Sequence, residues 1–158
     1  MIKRIMSFVY YRMAVWERYL GLRSYHKPLF ERSDYHFTRA FELQPHKIDA
    51  IIQRGILRWR EMDDFMGAIR DFDFVLQVDN EHQDVLFYRA MAHYRAGNYP
   101  ASIHDLELVI EVAPTSRTAS DAAKQLRTLY QIMDELMPPA ELDDAPPILL
   151  GPPRDSSD

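Results

Sequence analysis

Two carboxylates one residue apart, Asp71 and Asp73 in the stretch RDFDF, are of the type from which a divalent-cation site could be built. On a helix, residues two apart point in different directions, so the two acids do not easily chelate one ion. The pair reads instead as two solvated acids on an outer face beside a core Phe72. Asp63 and Asp64 in EMDDF read as a solvated turn. Six histidines stand singly at 26, 36, 46, 82, 93 and 104, with no His-x3-His pair. The five glycines form no Gly-x-Gly or Walker pattern, so a phosphate cradle is absent from the sequence. Without cysteine there is no thiolate nucleophile, disulfide or cysteine metal site. No catalytic residue, metal site or cofactor is expected, and the chain is not read as an enzyme.

Arg12, Arg18 and Arg23 interleave with Tyr10, Tyr11, Trp16, Tyr19 and Tyr25, a mixture of basic and stacking groups that single-stranded nucleic acid favours. Most of those aromatics are needed for core, and the 158-residue chain carries a net charge of −5, so no nucleic-acid partner is expected. The charge is uneven. Residues 1–27 balance to +5 and residues 138–158 to −4. The longest early uncharged run, Ile5 to Tyr11, is far short of the ~20 residues of a membrane-spanning helix. Arg12, Glu17 and Arg18 follow it without a small-residue cleavage site, so neither a span nor a signal peptide is expected, and the chain is read as cytoplasmic.

The elements that must position these side chains come from a repeat. In FMGAIRDFDFVLQVDN (65–80) and YPASIHDLELVIEVAP (99–114), Phe65, Ile69, Phe72, Val75, Leu76 and Val78 match Tyr99, Ile103, Leu106, Val109, Ile110 and Val112, 34 residues on. Spacings of i, i+4, i+7, i+10 and i+11 describe one face of a helix. FERSDYHFTRAFELQP (30–45) places Phe30, Ser33, Phe37, Ala40, Phe41 and Leu43 on the same template. Each copy follows a second helical segment, roughly 14–26, 48–60 and 83–96, with Gly21, Gly55 and Ala90 midway. A glycine within a helix costs about 1 kcal/mol relative to alanine, so close packing is expected there. The expected neighbours are the small residues of the next helix: Ser33 for Gly21, Ala68 for Gly55, Ser102 for Ala90.

Leu20-Gly21, Ala68-x3-Phe72, its variants Ser33-x3-Phe37 and Ser102-x3-Leu106, and the closing Pro45 and Pro114 resemble the tetratricopeptide repeat (TPR) family. The resemblance implies an all-α, right-handed α-solenoid of helix-turn-helix repeats. It divides the chain into an N-terminal helical extension (1–13), three repeats (14–47, 48–82, 83–116), a capping helix (117–136) and a disordered Pro-rich, acidic tail (137–158). Within that tail Ile148, Leu149 and Leu150 form an isolated apolar run.

The resemblance also implies function: a scaffold that binds a peptide or amphipathic helix of another protein in a concave groove lined by the first helix of each repeat. On this chain the groove residues are Arg18, Leu22, Tyr25, Ile52, Ile56, Trp59, Phe87, Met91 and Tyr94, with Arg60 and Arg95 at the rim. The family's carboxylate clamp uses Lys, Arg and Asn where Leu22, Gln53, Asp84 and Tyr88 stand here. The groove is therefore expected to be apolar and aromatic. The alternative is a structural subunit that homo-oligomerises through its N-terminal helix or the solenoid ends, because the stripe Ile2, Met6, Val9 and Met13 has no evident cover in the chain.

Overall fold

Local chemistry sets the helix boundaries. In the computed structural model, which describes residues 1–136, Asp64 caps a helix by accepting a hydrogen bond from the Gly67 amide at 2.9 Å. Asn98 does the same for the Ala101 amide at 3.3 Å, and Ser116 for the Ala119 amide at 2.9 Å. The helices are α1 (Ile2–Ser24), α2 (Lys27–Leu43), α3 (Asp49–Glu61), α4 (Phe65–Val78), α5 (Gln83–Arg95), α6 (Tyr99–Val112) and α7 (Arg117–Leu136). No strand occurs among the described residues. Residues 1–13 continue into α1 as one helix, and the 137–158 segment with Ile148, Leu149 and Leu150 lies outside the described residues. Gly97, with φ of 77°, supplies the left-handed residue between α5 and α6.

Helices adjacent in the chain are adjacent in space. α1/α2, α3/α4 and α5/α6 form hairpins, each stacked on the next, and α7 covers α6. This is an all-α solenoid. Phe37, Phe72, Leu57, Leu106, Val75 and Val109 are fully buried along its axis. One apolar cluster joins α1, α2 and α3, a second runs from α3 to α7, and Phe41 packs against both.

The helical glycines do answer a packing need, with a different neighbour from the one expected. A Cβ built on Gly55 would lie 2.6 Å from the ring of Phe72, and one on Gly21 would lie 2.6 Å from Phe30. The missing side chain therefore makes room for an aromatic ring, and Ser33 does another job. Ser33, fully buried, donates its hydroxyl to the Ala14 carbonyl at 2.9 Å, which ties α2 to α1.

Candidate functional site

The nominated residues fall into three groups. Trp59 on α3 is half-buried, with the Arg60 guanidinium 5.8 Å from its ring centre, and it faces Tyr88 on α5 at 6.2 Å. Tyr88 in turn meets Phe87 at 6.4 Å and Phe72 at 6.1 Å, so it is the ring that joins the two helices. Sequence reasoning noted Tyr88 only as a clamp position; its adjacency to Phe87 on the inner helix was the available signal. The Trp59 indole N–H is buried and has no acceptor among the described residues. Ile52 and Met91 are half-buried on the same two helices, and Ile56 is buried in the core.

A second group gathers at the α3–α4 and α5–α6 turns. Tyr94 packs on Tyr99 at 5.9 Å, and Arg95 lies over Phe65 at 5.1 Å while pairing with Asp63 at 3.1 Å. The third group sits on α1. Arg18 is held between Glu61 at 2.9 Å and Gln53 at 3.3 Å, which links α1 to α3. Leu22 and Tyr25 are exposed, Tyr25 at the left-handed C-cap of α1, and no contact draws them toward the Trp59 group.

Asp71 overturns its outer-face reading. It is 3% exposed and accepts two hydrogen bonds from Arg54, at 2.9 and 2.6 Å, and two longer ones from Arg58, at 3.2 and 3.3 Å. Arg54 also donates to Thr38, and Arg58 to both carboxylate oxygens of Asp34, so these two arginines of α3 join α2 to α4. The arrangement recurs one repeat later. Arg89 holds Asp105 with two bonds, at 2.8 and 2.6 Å, and reaches back to Asp73 at 2.7 Å. In the first hairpin, position 36 is a histidine, whose Nδ1 lies 2.6 Å from buried Glu17. Burial works against the charge of Arg58 and Arg89. Their carboxylate partners outweigh it and hold both pKa values above the ordinary guanidinium range. These buried charges are satisfied by one another and present no free group for catalysis.

His93 occupies the repeat position of Arg58, but Ile69 stands where Asp34 would be needed to pair it. Its Nδ1 is buried without a partner among the described residues, and burial lowers its pKa. No cluster of three or more acids and histidines suited to a metal occurs among the described residues.

An open recess of about 740 Å³ lies elsewhere, between α4, α5 and α6. Leu76, Leu86, Leu108 and Val112 are apolar parts of its lining; Asp73, Glu81 and Glu111 supply acids; none of the nominated groove residues reaches it.

No family model matches the sequence, and no curated protein matches it either. Solved structures do. The Arabidopsis OM64 TPR domain superimposes with a TM-score of 0.63 at 17% identity, covering 80% of this chain and 98% of that one. The first TPR of Spaghetti (RPAP3), bound to the HSP90 peptide SRMEEVD, gives 0.60 at 16% identity, over 78% and 94%. PcrH, in complex with the chaperone-binding region of PopD, gives 0.61 at 15%, over 75% and 91%. The chain thus has a TPR-like fold, in keeping with the motifs read from its sequence. No helix among the described residues is long and apolar enough to cross a membrane.

Proposed function

We propose that this protein is a protein–protein interaction module that binds an apolar or amphipathic segment of another protein across the inner faces of α1, α3 and α5. The three hairpins serve as its repeat units, 14–47, 48–82 and 83–116. The observation that carries the reading is the aromatic group of Trp59, Phe87 and Tyr88, with Arg60 stacked on the indole. Half-buried aromatic side chains with an exposed arginine beside them dominate binding energy where they meet a partner. The RPAP3 and PcrH domains, solved with partner peptides, support a peptide-binding role for the fold. The occupant here differs from a terminal carboxylate, because Asp84 stands at a clamp position and would repel one. An apolar segment with acids at its edge suits Arg60 and Arg95.

Capture from native lysate tests this, with wild type beside the Phe87→Ala/Tyr94→Ala variant. Loss of the same captured proteins, with the helical spectrum intact, is expected. Equal capture by the double variant would end the groove reading.

A second reading, assembly through the N-terminal helix, is favoured by one observation. Ile2, Met6, Val9 and Met13 of α1 are 78, 39, 41 and 40% exposed.

A further inference from the structure

The recess between α4 and α6 is explained by comparing one repeat with the next. Between α2 and α4, the rings of Phe41 and Phe74 meet edge to face with centres 5.2 Å apart. The equivalent positions one repeat on are Leu76 and Leu108, both lining the recess. Two aromatic rings have become two leucines, and the space they would fill is open. Its volume is several times the ~150 Å³ in which an engineered apolar cavity holds one aromatic ring.

The rim defines what kind of side chains would accompany such a ring. Glu81 and Glu111 are exposed and have no ion-pair partner among the described residues. Asp73 is paired with Arg89, which is already shared with Asp105. The recess therefore suits an aromatic side chain flanked by cations.

The chain carries that combination on its own surface. Phe8 of α1 is 64% exposed, and Arg4 and Arg12 lie four residues to either side of it, on the same helix face. Both arginines are exposed without an ion-pair partner among the described residues. The α1 helix cannot serve its own recess. Ser7 donates to the Ala40 carbonyl at 2.8 Å and Tyr11 packs on Phe37, which fixes α1 along α2.

We infer that the recess between α4 and α6 binds the Arg4–Phe8–Arg12 face of α1 from a second copy of this chain. Phe8 enters between Leu76 and Leu108, and the arginines meet Glu81 and Glu111. The contact joins two different surfaces, so each bound copy still offers one recess and one α1, and association runs head to tail. This site is separate from the inner face proposed above.

Sedimentation of the full chain, across a wide concentration range, tests it with two kinds of variant. Phe8→Gln/Arg12→Gln removes the plug; Glu81→Lys/Glu111→Lys removes the rim charge, and Leu76→Phe/Leu108→Phe copies the filled groove. The first two pairs change exposed residues, so their helical spectra should match wild type. Wild type should associate beyond a dimer at low salt, and about 0.5 M salt should weaken association tenfold or more by screening the rim. Each plug or recess variant alone should be monomeric. The decisive sample is an equimolar mixture of plug and charge-reversed recess variants, which should form a one-to-one dimer that grows no further. A monomeric wild type overturns the inference, and would leave the recess to a different protein. A mixture that stays monomeric while wild type associates also overturns it, and so does a recess variant that still associates on its own, which would point to symmetric α1–α1 pairing.

Discussion

Replacing Asp71 by alanine separates a buried ion network from a pair of solvated acids. The Asp71 side chain is 4% exposed and that of Arg54 is 13% exposed, so neither charge is well screened by water. Without the carboxylate, Arg54 keeps only its bond to Thr38, while Arg58 keeps Asp34. Breaking a buried pair from one side costs roughly 3–5 kcal/mol, and the surviving partners place this case near the lower end, about 3 kcal/mol. Asp73→Ala is the internal control. Its side chain is 44% exposed and gives Arg89 one contact, so its loss should cost roughly 0.5–1 kcal/mol. Urea unfolding measures both, and an unchanged slope shows that the same surface is exposed each time. Removing both charges, as Arg54→Met/Asp71→Leu, should recover much of the loss because no orphaned arginine remains. If Asp71→Ala lies within about 0.5 kcal/mol of wild type, the reasoning fails and Asp71 belongs to the surface.

Gly55→Ala should destabilise the fold even though alanine favours helix by about 1 kcal/mol, because its Cβ would meet Phe72 at 2.6 Å; thermal melting reads the sign. Gly55→Leu should cost about 1–3 kcal/mol or more, and a wild-type melting temperature would show the helix register to be wrong. His93 has a lowered folded-state pKa, so its contribution is present above about pH 6.5 and lost as pH falls through the folded value. Between pH 7 and 5, wild type should therefore lose more stability than His93→Gln; parallel curves would refute this. Adding a captured partner should shift Trp59 fluorescence, and Phe87→Ala/Tyr94→Ala should weaken that binding by ~2–4 kcal/mol, measured by titration.

The helices were legible because apolar positions repeat every 34 or 35 residues, and that rhythm sets every hairpin from α1 to α6. Asp71 was misread for a specific reason. Stepping off Phe72 by one residue reaches solvent on an isolated amphipathic helix, but α4 is covered by both α3 and α5. The signal was present in polar residues: Arg54 and Arg89 recur 35 apart, and Asp71 and Asp105 34 apart. A template built from apolar residues passes over that coincidence. Gly55 was assigned the wrong neighbour because Ala68 and Phe72, one turn apart, both lie on the face of α4 toward α3, and spacing alone does not choose between them. The scatter of Tyr25 and Leu22 away from Trp59 depends on how successive hairpins stack, which no local pattern encodes.

The arginine clips also distribute cohesion along the array. Arg54 and Arg58 fasten α2 to α4, and Arg89 fastens α4 to α6, so each clip crosses from one hairpin to the next. At α7 the equivalent position is Lys124, which pairs within its own helix with Asp121. Nearest-neighbour coupling is what makes repeat arrays open as a unit. The three hairpins therefore share a common opening, while α7 can detach without breaking any clip. Amide hydrogens along α7 should exchange with solvent first, and protection should step up at α6 and hold through α2.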